Sequence, residues 1–318
     1  MNDPILKQEI INKTKSLGFC LTGFASAEPM REEADKLAEW IEAGKHGDMH
    51  FLQRHLDMRA DIDLLLPGAQ TVIVCAMSYN TGIKHPDNAG EKGLGKISSY
   101  AWGDDYHEVI KSKLRELVTT LETIEPESKN RIFVDTGPVP EKSWAERAGL
   151  GVRGKNTLLL NKEYGSSIFI GVIITTAFIG PDSEVSSICG TCTACIDACP
   201  TKALDNQGIL DAGRCISFWT IEKKEPWNIP TEIAENMNDY LLGCDICRNV
   251  CPYNQKAKLS DRPEFLPRNG ETCLVLDDVL EMTQEEFSKI FKNSNVKRLK
   301  LAGLNRNAKT IEKNNSED

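Results

Sequence analysis

The sequence predicts an α+β chain with α/β-like alternation. It has an N-terminal domain built on a central sheet, a cysteine-dense module behind it, and a short helical end. Three observations predict this. Helical and apolar strand patterns alternate over the first 180 residues. Four cysteines fall in the stretch from Cys189 to Cys199, and a related run from Cys244 also ends in Cys-Pro. Charged, helix-type patterning then resumes. The boundaries expected are 1–180, 181–262 and 263–318.

Taken in order, "NDPILKQEIINKTKSLG" carries helical periodicity and stops at a glycine, and "EPMREEADKLAEWIEAG" repeats that design. "TVIVCAMSY" from Thr71 is short, apolar and β-branched, as a buried strand requires. "DDYHEVIKSKLRELVTTLETI" is a third helix, with Asp104 or Asp105 in position to cap it. "RIFVD" from Arg131, "NTLLLN" from Asn156 and "SIFIGVIITT" from Ser167 are further strands, and "EKSWAERAG" is a helix between the first two.

The composition is that of an ordinary water-soluble chain: 318 residues, 40% apolar, enough for about two domains. The longest apolar stretch, Ser166 to Gly180, is too short to span a bilayer. No secretory pattern opens the chain, so a cytoplasmic protein is expected. A net charge of −9 excludes a generic nucleic-acid coat, although it leaves room for a local basic footprint.

Eleven cysteines, nine of them between Cys189 and Cys273, do not suit a disulfide framework in a reducing compartment. The first run is Cys189-x2-Cys192-x2-Cys195-x3-Cys199-Pro200, the bacterial ferredoxin spacing in which the fourth cysteine serves the other cluster. The second is Cys244-x2-Cys247-x3-Cys251-Pro252, with Leu241 where another ligand would stand and Cys215 as the candidate replacement. Two-cluster logic then assigns Cys189, Cys192, Cys195 and Cys251 to one [4Fe-4S] cubane, and Cys199, Cys215, Cys244 and Cys247 to another. Structural zinc usually takes separated pairs and does not account for Cys-Pro ending both runs. Cys20, Cys75 and Cys273 stand outside the pattern as small buried hydrophobes.

Two phosphate-binding signatures meet at "GLGVRGKN", but a helix precedes these glycines and a strand follows them, the reverse of what nucleotide binding needs. A tight loop is the better reading. Asp135 ends an apolar strand ahead of "TGPVP". Burial there would let its carboxyl keep a proton and act as a general acid, whereas an Asx turn is the plainer alternative. Glu141 reads as ordinary first-turn helix complementation. Asp105-x-His107 begins like a corrinoid signature, but Ile110 stands where that motif needs glycine.

Taken together, "LLLPGAQTVIVCAMSYN", "YAWGDDYHEVI", "VDTGPVPEKSWAERAGLGVRGKN", the two cysteine runs and "CISFWTIE" closely resemble the epoxyqueuosine reductases, over roughly residues 5 to 306. The resemblance implies a cobalamin-dependent oxidoreductase with two [4Fe-4S] clusters, related to reductive dehalogenases. It implies reduction of epoxyqueuosine to queuosine at the tRNA wobble position, the last step of queuosine biosynthesis, with Asp135 as proton donor. For the cofactor it points to Arg59, Tyr100, Asp135, Lys155, Asn156, Ser217 and Asp245. No protein histidine is expected on the lower cobalt face.

The implied partners are a tRNA anticodon loop bearing epoxyqueuosine and a low-potential electron donor; no membrane is involved, and the expected state is a monomer. Lys292, Lys297, Arg298, Lys300, Arg306 and Lys309 form a run without acidic residues that suits a phosphate footprint. Longer relatives continue into a helical-repeat domain after "GLNRN"; a short form is expected here, with "EKNNSED" a disordered tail. Two other functions stay open on the residues alone: a corrinoid reductase of a small organic molecule, and a non-catalytic electron carrier.

Overall fold

The computed structural model describes residues 4–205, 208–223 and 228–317. Its main sheet has four strands in the order β1 (Leu21–Ser26), β2 (Thr71–Ser78), β7 (Ile168–Thr175), β4 (Asn130–Phe133), and every pairing is antiparallel. The chain is therefore α+β in its connections. β2 is buried along its whole length, as is all of β7 except Ile170, because both faces of the sheet are covered.

Side-chain alternation sorts these strands into two cores. Ile73, Cys75, Met77 and Ile173 face the helices Pro4–Ser16 and Tyr106–Ile124, meeting Leu6, Ile10, Leu114 and Leu121. Val72, Val74, Val172 and Ile174 face the other way, onto Ile62, Leu65 and the fully buried Trp144. Trp144 belongs to the helix Glu141–Arg147, so that short helix is clamped to the sheet.

The helices and long strands expected from the sequence form, with ends shifted by a few residues. The first helix runs from Pro4; Asn2 and Asp3 of its quoted pattern lie outside the described residues. "NTLLLN" contributes only β6 (Leu159–Leu160), which makes a small hairpin with β5 (Val152–Arg153). Gly149 adopts φ +73° after the helix, so the glycine loop is a helix stop followed by a hairpin, not a phosphate cradle. β1 has little sequence signal of its own, since "LTGFAS" is short and broken by a glycine; six cross-strand pairs with β2 define it.

A second sheet joins regions far apart in sequence. β3 (Leu94–Ile97) pairs in parallel with β8 (Tyr240–Leu242) and antiparallel with β9 (Cys273–Val275), so it crosses both expected boundaries, at 180 and at 262. Its core gathers Ile97 and Trp102 with Leu241, Phe287 and Ile311, and Tyr100 packs against this core and the one under the 106–124 helix alike.

The expectation of a disordered "EKNNSED" tail is corrected. The last helix runs Lys300–Glu317, and Asn314 and Asn315 donate side-chain hydrogen bonds to the carbonyls of Ala234 and Gly90. Polar composition suggested disorder, but docking of two asparagine amides gives this turn tertiary partners. Asp318 lies outside the described residues. Among the described residues no helix is long and apolar enough to cross a membrane.

The 106–124 helix approaches the sheet closely at Gly171, where an added Cβ would stand 2.6 Å from Ile110 Cγ2 and 2.8 Å from Leu114 Cδ1. Gly171→Val is expected to destabilise the protein by about 1–3 kcal/mol through overpacking. Chemical denaturation of the variant beside the parent protein measures this.

Candidate functional site

The segment "GDDYHEVI" places its polar groups at one helix start. Asp105 caps the 106–124 helix by accepting from the His107 amide at 3.0 Å, and its carboxylate also meets His107 Nδ1 at 2.7 Å. This fixes the imidazole and turns its Nε2 toward Asp135, 3.7 Å away. Tyr106 donates its hydroxyl to the same Asp135 oxygen at 2.6 Å, and its ring stacks on Phe169 of β7. Asp135 itself sits two residues past β4 with φ +51°, and its amide donates to Glu141 Oε1 at 2.6 Å.

Asp135 and Glu141 border a cavity of about 330 Å³ that Arg59, Phe51, Lys142 and Arg153 also line, among others. The Asp135 side chain opens into it, 57% exposed. The expectation that burial keeps a proton on Asp135 is corrected. Burial does push its pKa up, but hydrogen bonds from His107 and Tyr106, with the charges of His107 and Arg298, outweigh it and hold Asp135 below its ordinary value. The protons sit on its neighbours instead. Burial pulls His107 down, yet the carboxylates of Asp105 and Asp135 raise it to about 9. Burial, then the charge on Asp135, pushes Glu141 up to about 8.

Cys195 is close enough to Cys189, Cys251 and Cys192 for their charges to raise its pKa, after burial. Cys247 is pushed up to about 12, by burial first and then by Cys215, Cys195 and Cys199; Cys244 is raised by burial, Cys247 and Cys215. The thiols of the two runs therefore stand near one another, with Cys195 and Cys247 each facing cysteines of both runs. Cys192 is exposed, whereas Cys215 is half-buried.

Cys215 is presented by an uncommon device. A π-helical turn, Phe218–Glu222, follows it, and the backbone amides of Phe218 and Ser217 hydrogen-bond toward the Cys215 sulfur. Arg306 donates to the Trp219 and Lys223 carbonyls and Asn307 to those of Thr220 and Leu241, so the last helix satisfies this turn. That corrects the basic-run expectation in part. Arg306 is 7% exposed and structural, and Arg298 is paired with both Glu222 oxygens at 2.8 and 2.9 Å. Lys292, Lys297, Lys300 and Lys309 are exposed.

The remaining expected cofactor residues divide. Arg59 lines the Asp135 cavity, and its Nε is buried without a partner. Tyr100 is half-buried between the two cores, with burial holding its hydroxyl protonated. Ser217 is half-buried at the start of the π turn. Lys155 instead donates to the carbonyls of Gly190 and Cys192, both at 3.0 Å, and pins the first cysteine loop. Asn156 is buried, with its amide 3.5 Å from the Cys247 carbonyl. Asp245 is 3% exposed and accepts from Ser98 Oγ at 2.6 Å and the Ser99 amide at 2.8 Å.

Sequence reasoning noted Tyr106 and His107 only as neighbours and took Glu141 for helix complementation. The close spacing of "DDYH" to an Asp-capped helix start was the available signal, but its target, Asp135, arrives from another strand.

A carboxylate met by an imidazole and a phenol, in a chain with a cysteine-dense module, fits an iron–sulfur oxidoreductase. The family model for epoxyqueuosine reductase QueG (DUF1730) matches residues 59–136, and one for a 4Fe-4S double cluster binding domain matches residues 188–254. The epoxyqueuosine reductase of Gloeobacter violaceus is 39% identical over 307 residues, 95% of this chain and 94% of that protein. An epoxyqueuosine reductase solved with an epoxyqueuosine-modified tRNA-Tyr stem loop superposes with a TM-score of 0.90 at 32% identity, covering 96% of this chain and 80% of that one. The Bacillus subtilis enzyme, solved with its catalytic aspartate loop swung out of the active site, gives 0.88 at 31% identity over 96% and 80%. This chain belongs to the epoxyqueuosine reductase family.

The His107 pKa has a consequence for stability. A folded pKa raised from 6.5 to about 9 contributes stability that is complete below 6.5 and disappears as pH rises through about 9. The denaturation midpoint is expected to fall across that window, and His107→Gln is expected to flatten the fall. Denaturant titrations at both ends of the window measure it.

Proposed function

We propose that this chain reduces epoxyqueuosine to queuosine in tRNA, with Asp135 delivering protons at the cavity. The observation that carries the reading is the convergence of Tyr106, His107 and Glu141 on Asp135 beside an open cavity, in a chain whose two cysteine runs face each other. The reaction removes the epoxide oxygen as water and leaves a carbon–carbon double bond, consuming two electrons and two protons.

In this reading the eight cysteines named above hold two [4Fe-4S] clusters, with Cys199 and Cys251 each serving the quartet opposite its own run. Arg59 Nε and Ser99 Oγ, both buried without partners, suit the carboxamide fringe of a cobalamin, and Tyr100, Asn156 and Ser217 are the further residues assigned to it in this reading. Bound there, cobalamin would supply low-potential electrons for reducing the epoxide. Asp245 and Lys155 act at one remove, since their polar atoms already hold the loops around them.

The protein's own part is proton handling. His107, positively charged at neutral pH, stores a proton 3.7 Å from the Asp135 carboxylate; Asp135 passes it to the departing oxygen, and Asp105 keeps the ring aligned. The Tyr106 hydroxyl holds the receiving oxygen in place. The Bacillus subtilis relative's catalytic aspartate loop supports this role for Asp135. For the tRNA, the exposed lysines Lys292, Lys297, Lys300 and Lys309 are the phosphate contacts, while a modified base is unstacked into the cavity. A low-potential donor would feed the exposed Cys192 side, and the enzyme would work in the cytoplasm as a monomer.

The reading is tested by anaerobic reconstitution with iron, sulfide and cobalamin, incubation with tRNA carrying epoxyqueuosine under a strong reductant, and nucleoside analysis. Queuosine is expected, and its absence overturns the proposal. Asp135→Asn is expected to slow turnover about 10²–10⁴-fold while iron content and tRNA affinity stay unchanged. In Cys215→Ser, iron is expected to fall from about eight per chain toward about four.

A further inference from the structure

The ladder that carries Asp135 stops short of it. β4 pairs with β7 up to Phe133, and beyond that point Asp135 turns into the left-handed region with φ +51°, a conformation that non-glycine residues hold only when their surroundings impose it. Two side chains impose it here. Tyr106 takes the Asp135 carboxylate, and Glu141 takes the Asp135 amide at 2.6 Å across the intervening Thr136–Pro140 turn.

Glu141 stands on a fixed mount. It opens the 141–147 helix, whose Trp144 and Ala145 are buried in the core beneath the sheet. The same helix is fastened from outside, since Lys142 donates to the Thr157 carbonyl and Arg153 donates to Ser143 Oγ at 2.7 Å. A residue needed only to complement a helix dipole would face its own helix's amides. Glu141 reaches back six residues instead, to the amide of the residue proposed as the acid.

We infer that Glu141 is a positioning residue for the reaction: its carboxyl oxygen captures the Asp135 amide, fixes the left-handed turn, and so presents the Asp135 carboxylate to the cavity. The inference rests on the reading of Asp135 as the group that delivers the proton. Burial and the neighbouring Asp135 charge keep Glu141 protonated at neutral pH. A neutral acid accepts the amide through its carbonyl oxygen, which a glutamine side chain reproduces at the same length. His107 and Tyr106 meet the Asp135 side chain, with Asp105 behind His107, whereas Glu141 takes its backbone amide, so the two sets are separable by substitution.

The experiment uses the full holoenzyme with both clusters and cobalamin, and compares Glu141→Ala, Glu141→Gln and Asp135→Asn. Glu141→Ala is expected to lower kcat about 10–100-fold, since a displacement of about 1 Å has that effect on a reacting group. KM for tRNA, iron content and cobalamin affinity are expected to stay at parental values. Glu141→Gln is expected to restore kcat. Independently of turnover, hydrogen exchange of the peptide spanning 134–140 is expected to quicken in Glu141→Ala and not in Glu141→Gln.

A parental kcat in Glu141→Ala overturns the inference, as does a Glu141→Gln variant as impaired as Glu141→Ala. If Asp135→Asn keeps full activity, the reading of Asp135 fails, whatever the Glu141 variants do. If Asp135→Asn is inactive while Glu141→Ala is unaffected, the positioning role alone fails.

Discussion

A buried carboxylate holds the two halves of this molecule in register. Asp245 lies between Cys244 and Cys247, and its oxygens are used by Ser98 and Ser99 at the end of β3 and by Arg248, whose Nε is 3.4 Å away. Arg248 continues the connection by donating to Ser167 at the mouth of β7. A carboxyl group at 3% exposure is tolerated only while its partners are present, because a buried polar group left unpaired costs more than its pairing contributes. The cysteine module therefore has one seating against the sheet domain, and the spacing between thiols and Asp135 follows from it.

The same seating recruits segments from the whole chain. β3 from the first third of the sequence is sandwiched between β8 and β9, and the last helix sends Arg306 and Asn307 back to close the carbonyls of the π turn behind Cys215. A π turn leaves its backbone groups poorly paired, so it persists where other side chains complete the bonding. The "NRN" near the C-terminus thus serves a cysteine ninety residues earlier. Trp40 donates to the Leu210 carbonyl, and Ala212 donates its amide to Lys45, adding a third fastening on the opposite flank.

At the cavity, charge is arranged so that no single carboxyl does everything. Asp105, Asp135 and Glu141 are three acids close to one imidazole. Their environments separate them: Asp105 and Asp135 are held ionised by hydrogen bonds and the His107 charge, whereas Glu141 stays protonated beside Asp135. The result is a proton-rich pocket around an ionised Asp135, set by neighbours whose positions come from the 106–124 helix, β4 and the 141–147 helix.

Much of this was legible in the sequence where short-range rules apply. Cysteine spacing specifies two coupled cubanes because each run must wrap one cluster and reach a second. The apolar runs at Thr71 and Ser167 specify fully buried strands, and the glycine loop's order of helix then strand excludes a phosphate site. What the sequence could not decide are pairings across long separations. The charge on Asp135 was misread because its partners, Tyr106 and His107, lie on a different element, and Arg306 looked like an exposed phosphate contact until its helix docked. Local composition determines which residues are suited to hold iron, cap a helix or fill a core. Only the tertiary structure decides which charge faces which, and a pKa or a satisfied turn depends on that distance.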